Sequence, residues 1–220
     1  MSLFSLEHGK LAYWSDFAFY GVAVSLFSGW VVLASPRGHG VASAALVLLG
    51  LASWSLLEYL MHRFVLHGVA PFSGWHERHH LRPTALVSAP TVLSATLLTA
   101  LVFLPALALG GLRASSAFFL GVLAGYLAYA IVHHATHHWR AESAWSRRRK
   151  RWHALHHRHA ADGCCYGVTS GLWDHIFATR PHPPGARKTP EHPGVIDSLR
   201  AVCAMRHTPR RGGGPATNPL

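Results

Sequence analysis

Four long apolar stretches constrain this chain more than any other feature of its sequence. They cover about residues 16–34, 40–61, 86–109 and 112–132, and each has about the 20 residues that a helix needs to cross the hydrocarbon core of a membrane. Half of the chain is hydrophobic and only 13% is charged. We therefore predict an all-α integral membrane protein with four transmembrane helices, in preference to a soluble domain with large core helices.

The loops between these helices predict the orientation of the chain. The connections between helices one and two and between helices three and four span only a few residues, so both termini and the middle loop fall on the same side of the membrane. That side carries 18 of the 20 Lys and Arg residues, whereas the opposite loops carry only Arg37 and Arg113. The positive-inside rule then predicts that both termini are cytoplasmic.

The same distribution of charge bears on partners and domains. A basic run over residues 147–151 would suit nucleic acid in a soluble protein, but on a membrane face it favours solvent or lipid headgroups, and we expect no nucleic-acid partner. We predict one membrane-embedded domain over residues 1–180 with a cytoplasmic helical cap over 133–180. Residues 181–220 form a basic tail rich in Pro and Gly, with an amphipathic helix predicted over 195–206.

Histidine is unusually frequent, with 19 residues against nine Asp and Glu together. Ten of these histidines fall into four clusters, all on the predicted cytoplasmic side. Since imidazole is the commonest metal-binding side chain, the clusters predict a metal site at the membrane boundary. The clusters are His62 and His67; His76, His79 and His80; His133 and His137; and His153, His156 and His157.

Helical spacing supports this interpretation. Residues three and four apart lie on one face of a helix, so the two His-x-x-His-His triplets each present their imidazoles to a common side. His134 and His138 offer the same spacing as His133 and His137, and the residues alone leave both pairs open. His62 and His67 are five apart, about 140° around an ideal helix, so they serve different metals or need an irregular turn.

Acidic residues near the clusters are candidates to accept the second ring N–H of a metal-bound histidine. They are Glu58, Glu77, Asp162 and Asp174. Glu58 lies within an apolar stretch one helical turn before His62, and an ionisable residue at such a position is expected to be functional. We single out Glu58 and Asp174 as the residues that support the metal site.

Two other functions fit parts of the pattern. His76-Glu77-x-x-His80 matches the zinc-protease signature with Glu77 as the base, but a protease would leave the other clusters without a role. A non-enzymatic metal transporter would place ligands along its transmembrane helices, and a haem protein with two axial histidines would place them inside the bundle. In this sequence the histidines gather at one end of nearly uncharged helices.

With these residues set out, the chain resembles the fatty acid hydroxylase/sterol desaturase superfamily, and within it the catalytic domain of fatty acid 2-hydroxylases. The resemblance runs from about Trp54 to Thr179. It rests on the run from Trp54 through Glu58 and Tyr59 to His67, on both His-x-x-His-His triplets, on Tyr129-x-x-x-His133-x-x-x-His137, and on Gly167-Val-Thr-Ser-Gly-Leu-Trp173-Asp174.

The resemblance implies that the ten histidines bind two iron ions, although zinc can occupy such a site in purified protein. It favours His133 and His137 over the alternative pair, because a ligand follows the family's Tyr by four residues. It also implies hydroxylation of an unactivated C–H bond of a lipid with O2 and two external electrons. A fatty acyl chain is the expected substrate, with hydroxylation or desaturation of a sterol or carotenoid as the alternative.

The implied partners follow from the same resemblance. The sequence contains no flavin or dinucleotide fingerprint, so the electrons are expected from a separate donor of the cytochrome b5 or ferredoxin type with its reductase. The expected location is a bacterial inner membrane or the endoplasmic reticulum, with the metal site on the cytoplasmic side.

Overall fold

The computed structural model describes residues 9–36, 38–159 and 163–181, and helices are the regular elements of these ranges, as predicted. The predicted helix over 195–206 lies outside the described residues. The helices are α1 (Lys10–Ala34), α2 (Gly40–Leu60, continuing as a π-helix over Met61–Leu66), α3 (Phe72–Leu81), α4 (Thr91–Leu98, continuing as a π-helix over Thr99–Phe103), α5 (Leu104–His138), α6 (Ala144–Arg158) and α7 (Leu172–Ile176).

Within the described ranges, three helical stretches are long and apolar enough to cross a membrane. They are Lys10–Ala34, Gly40–Leu66 and Thr91–His138. Large apolar side chains on their outer faces are exposed, among them Leu26 and Leu33 on α1 and Leu48 on α2. A water-soluble monomer rarely leaves so much contiguous apolar surface uncovered, so these faces suit lipid.

The third stretch folds back on itself at Gly111. This residue has φ 68° and ψ 174°, which interrupts the helix, and glycine adopts such a positive φ without steric cost. The rings of Phe103 and Phe119 are 5.0 Å apart, whereas 16 residues of straight helix would separate them by about 24 Å. The stretch therefore consists of two arms packed on each other, which correspond to predicted helices three and four.

Helix ends differ from the predicted bounds. The arm predicted to start at residue 86 begins at Thr91, with Pro90 as its N-cap; proline lacks an N–H and disfavours helical geometry in the residue before it. At its other end α5 runs through to His138, so residues 133–138, predicted as the start of the cap, belong to the same helix as the apolar residues before them. Apolarity marks the part of a helix that suits lipid, whereas hydrogen bonding and caps decide where the helix ends.

Helices α2 and α5 pack closely against each other. A Cβ atom at Gly50 would overlap the backbone carbonyl of Phe118, and one at Gly121 would overlap that of Val47. Small residues at such crossings let helix backbones approach within van der Waals contact. This contact holds side by side the ends of α2 and α5 that carry the first and third histidine clusters.

Candidate metal centre

Nine of the ten predicted histidines form two groups at one end of the helices. Within each group, one ring nitrogen from every histidine lies within 4.8 Å of those of the others. Four separate segments of the chain meet there, as the clustering predicted, while metal binding itself stays a prediction. The first group is His62, His67, His76, His80 and His156, and the second is His79, His133, His137 and His153.

His157 joins the two groups. Its Nε2 lies 3.1 Å from Nε2 of His153 in the second group, and its ring stacks on that of His80 in the first group at 4.2 Å. All ten predicted ligands are therefore neighbours.

A π-helical turn resolves the awkward spacing of His62 and His67. The C-terminal end of α2 is a π-helix over Met61–Leu66, whose hydrogen bonds run from residue i to i+5 and widen the turn. Residues five apart then share a face, and the two rings lie 5.3 Å apart. Of the two predicted alternatives, different metals or an irregular turn, the structure contains the irregular turn, and both histidines belong to the first group.

The spacing of the ring nitrogens fits metal binding. The close contacts among these histidines all join Nε2 to Nε2, at distances between 2.8 and 3.1 Å. Two nitrogens bound at about 2.1 Å and at right angles on one metal ion lie about 3.0 Å apart. The Nε2 atoms are therefore arranged as ligands of shared ions would be.

Backbone carbonyls fix the tautomer of two of these rings. The Nδ1 atom of His62 donates to the carbonyl of Tyr166 at 2.6 Å, and that of His156 donates to the carbonyl of Cys164 at 2.9 Å. Because a carbonyl can only accept, the proton of each neutral ring is on Nδ1 and the lone pair of Nε2 faces the first group. A ligand with its outer N–H anchored in this way is held in orientation for a metal.

Glu58 and Asp174 contact the loop beside the histidine groups and not the histidines themselves. Glu58 accepts hydrogen bonds from the backbone N–H groups of Val168 and Thr169 at 2.8 and 2.9 Å, and from the Thr169 hydroxyl at 2.6 Å. Neither acid accepts from a histidine in the described part of the chain, because its oxygens are engaged by other donors. Glu58 therefore holds the loop that carries the carbonyls, and the prediction of a direct contact is corrected.

Asp174 holds the neighbouring residues of the same loop. Its carboxylate is fully buried and accepts from the N–H groups of Tyr166 and Gly167, the Trp152 indole and the Thr179 hydroxyl. The loop over residues 164–169 is thus clamped between two buried carboxylates.

The other two acidic candidates contribute no such support in the described residues. Glu77 is exposed and lines a surface pocket of about 770 Å³ beside His67 and His80. Asp162 lies outside the described residues. The two histidines of the protease-like signature, His76 and His80, are both members of the five-histidine first group.

Burial keeps the histidines outside the membrane-spanning stretches neutral. Together with neighbouring imidazoles, it lowers the pKa of His67 to about 4 and that of His156 and His157 to about 3. Burial and the nearby His137 lower the pKa of His79 to about 2. Neutral imidazole is the metal-binding form, so these residues can bind an ion at pH 7 without first losing a proton.

The structure also separates the two possible histidine pairs on α5. His133 and His137 belong to the second group, whereas Nδ1 of His134 lies 2.9 Å from the Tyr13 hydroxyl. The rings of His134 and His138 stack on each other at 4.4 Å. The pair favoured by the resemblance is the one that converges with the other clusters.

An apolar cavity of about 370 Å³ reaches the two histidine groups from between the helices. His62 and His76 of the first group and His79 and His133 of the second all line it. Its other walls are mostly aliphatic and aromatic side chains of α2, α4 and α5, including Leu57, Leu97, Leu98, Leu101 and Val102.

Comparison with known proteins assigns the family. Residues 47–179, more than half of the chain, match the family model described as fatty acid hydroxylase. The chain belongs to the fatty acid hydroxylase family. The match begins within α2 and ends just after α7, so it contains all ten histidines and both carboxylates.

Named relatives agree with this assignment. The chain is 34% identical to the dihydroceramide fatty acyl 2-hydroxylase FAH2 of Arabidopsis thaliana, over 62% of this chain and 60% of the relative. It is 30% identical to the fatty acid 2-hydroxylase of Homo sapiens, over 62% of this chain and 41% of the relative. The match thus spans less than two thirds of the length of these relatives.

A solved structure shares the fold. It is described as full-length scs7p with only the hydroxylase domain visible, and it aligns with a TM-score of 0.69 at 25% identity. The alignment covers 81% of this chain and 70% of that one. The similarity therefore extends beyond the region of the family match.

Proposed function

We propose that the protein is a membrane di-iron hydroxylase that acts on the fatty acyl chain of a lipid. The observation that carries the proposal is that both histidine groups border one apolar cavity between the helices. An apolar cavity with a few polar groups at one end is the usual form of a site for an apolar ligand. The names of the relatives, which are fatty acid and ceramide hydroxylases, support an acyl chain as that ligand.

The ten histidines would hold two metal ions, with five ligands in the first group, four in the second and His157 between them. Neutral imidazoles suit iron but also zinc, copper and nickel, and the family membership favours iron. When bound, the two iron ions would supply the activation of O2 for oxidation of a C–H bond. The electron balance is RH + O2 + 2e⁻ + 2H⁺ → ROH + H2O, so two electrons come from a donor.

The chain itself would bind and orient the substrate. Leu57, Leu98 and Val102 line the cavity and would exclude water from the reacting carbon. Tyr129 also lines the cavity, and its ring stacks on that of His133 at 5.8 Å. This contact would hold the ring of a ligand that borders the substrate.

We infer four membrane crossings with both termini and the metal centre in the cytoplasm. The break at Gly111 divides the longest apolar stretch into two arms and supports the count of four. The excess of Lys and Arg on the side of the histidines supports the orientation.

We infer that the outer face of α6 receives the electron donor. This helix buries His153 and His156 on its inner side and exposes Arg147, Arg148 and Arg151 on its outer side. A basic surface attracts an acidic carrier and speeds its docking. Because α6 carries three of the ten histidines, a carrier docked there would be close to the metals.

Two measurements test the proposal. The first is iron per chain in the purified protein, for which we expect two ions, and fewer after His156→Ala combined with His157→Ala. The second is lipid analysis of cells that express each protein under ¹⁸O2, for which we expect an acyl chain with one ¹⁸O atom only with the unaltered protein.

A control is His134→Ala, which removes a histidine of α5 that lies outside both groups, and we expect normal iron content and product. Two results would contradict the proposal. One is a single metal ion per chain with no oxygenated lipid. The other is proteolytic activity that Glu77→Gln abolishes.

A further inference from the structure

The surface pocket beside the first histidine group opens on the outside of the protein. It has a volume of about 770 Å³, and its wall contains His67 and His80, which are two of the five members of that group. Both side chains are partly exposed. Within the described part of the chain, the predicted ligands can therefore be reached from solvent without passage between the helices.

The surface pocket and the apolar cavity adjoin at one side chain. Trp75 lines both of them, and both extend to members of the first group, the pocket to His67 and the cavity to His62. The cavity wall is mostly aliphatic and aromatic, and such surroundings exclude an ion that carries its water shell. A hydrated metal ion would therefore approach the histidines through the pocket, while the cavity remains open to an apolar ligand.

Glu77 supplies the carboxylate of this pocket. The described part of the chain contains two exposed carboxylates, Glu77 and Glu142, and Glu77 is the one that lines the pocket. It makes no hydrogen bond or ion pair with another residue of the described ranges, so both of its oxygens are available to a ligand. Carboxylate oxygens readily replace one or two waters of a hydrated divalent ion.

The charge around the pocket gives this carboxylate its importance. The chain has a net charge of +11 at pH 7 with neutral histidines, and the neighbouring Arg78 also lines the pocket. A positive surface repels a divalent cation before it reaches the histidines. One carboxylate in the pocket wall lowers that barrier locally, because it attracts the ion over the last part of its approach.

We propose that the surface pocket is an entry site for metal ions, in which Glu77 binds a hydrated divalent cation before His67 and His80 take it up. The inference rests on the proposed function, which makes the histidine groups the final site of the ions. The step is an exchange of ligands, in which imidazole nitrogens replace water and then the Glu77 carboxylate, and the charge of the ion does not change. Since Glu77 does not stay bound, it affects the rate of metal uptake and not the number of ions held.

The first test is metal uptake by the full chain in detergent after its metal has been removed with a chelator. The probe is Co²⁺ without O2, and its binding to imidazole is followed by visible absorption in a stopped-flow instrument. We expect Glu77→Gln to slow uptake by at least about fivefold at low salt, the effect of one negative charge on a divalent ion about 8 Å away in water. The difference should shrink at about 1 M salt, which screens such charges, and the final number of bound ions should be unchanged.

The second measurement needs no metal-free protein. An entry route is also an exit route, so at equal affinity a slower uptake requires a release that is slower by the same factor. We expect Glu77→Gln, purified with its metal, to release the ion to an excess of chelator at least about fivefold more slowly than the unaltered protein. The midpoint of thermal unfolding confirms that each variant is folded.

Two variants serve as controls of charge. Glu142→Gln removes the other exposed carboxylate, which lies in the loop before α6, and should leave both rates unchanged. Arg78→Gln removes a positive charge from the wall of the same pocket and should speed uptake at low salt.

Equal rates of uptake and release in Glu77→Gln and the unaltered protein would overturn the inference. Equal slowing by Glu142→Gln would also overturn it, because the effect would then belong to the net charge and not to the pocket. So would a loss of bound ions at an unchanged rate of uptake, which would make Glu77 a permanent ligand.

The two proposals can fail separately, because metal uptake needs no turnover. Slower uptake by Glu77→Gln without any oxygenated lipid from the unaltered protein would remove the proposed function alone. Oxygenated lipid together with equal rates of uptake would remove this inference alone.

Discussion

Replacement of Asp174 by Asn should release the loop that orients two of the predicted ligands. The Asp174 carboxylate accepts four hydrogen bonds, two on Oδ1 and two on Oδ2, and all four partners are donors in these contacts. Asn offers one oxygen and one NH2 group of nearly the same shape. The NH2 group would therefore face two donors instead of accepting from them.

The size of the effect follows from burial. Asp174 is fully buried, so each donor that loses its acceptor costs about 1–3 kcal/mol. Two such losses give about 2–6 kcal/mol. At about 2–4 °C per kcal/mol for a chain of this length, the midpoint of thermal unfolding should fall by at least about 4 °C. Arg149, which is also buried, would lose one of the carboxylates that favour its charge.

Loss of the clamp should also weaken metal binding, because the carbonyls of Cys164 and Tyr166 anchor His156 and His62. The assay is thermal unfolding in detergent together with iron per chain, with Glu142→Gln as the exposed control. If Asp174→Asn had the unfolding midpoint and the iron content of the unaltered protein, the clamp would have no role in holding these ligands and the reasoning would be wrong.

Three further predictions test neighbouring parts of the structure. Glu58→Gln should lower stability and iron content less than Asp174→Asn does. The amide oxygen of Gln can still accept from both backbone N–H groups, and its N–H can donate to the Thr169 hydroxyl. Thermal unfolding measures the stability and elemental analysis measures the iron content. His133→Ala should lower iron per chain while His134→Ala leaves it unchanged, and equal iron in the two variants would contradict the assignment of the pair. Gly121→Ala should destabilise the protein by about 1–3 kcal/mol through backbone overlap, whereas Gly29→Ala, which has no neighbouring atom within 4 Å, should not; equal unfolding midpoints would show that the helices do not need this close approach.

The helical fold could be predicted because apolar length is a direct requirement of the membrane. Four apolar stretches in the sequence correspond to α1, α2 and the two arms on either side of Gly111. The ends of the helices could not be predicted in the same way. The start of α4 after Pro90 and the end of α5 at His138 depend on backbone hydrogen bonding, which hydropathy does not report.

The convergence of the histidines could be predicted for a related reason. Residues three and four apart share a helix face whatever the surroundings, so each triplet was defined by its spacing alone. His62 and His67 could be placed only conditionally, because the π-helical turn that unites them depends on tertiary contacts at the end of α2. The residues alone left His133 and His134 both open, and the resemblance favoured His133. In the structure His133 belongs to the second group, whereas His134 contacts Tyr13, which is more than a hundred residues away.

The acceptors that orient the predicted ligands could not be predicted from the sequence, because they are backbone atoms. A search for acceptors of histidine N–H groups considers acidic side chains, yet the acceptors for His62 and His156 are the carbonyls of Tyr166 and Cys164. Any residue carries a carbonyl, so no residue type marks these positions. The carboxylate of Glu58 marks them indirectly, since it binds the N–H groups of the same loop. Buried acids near a histidine cluster can therefore indicate a clamped loop rather than a direct contact.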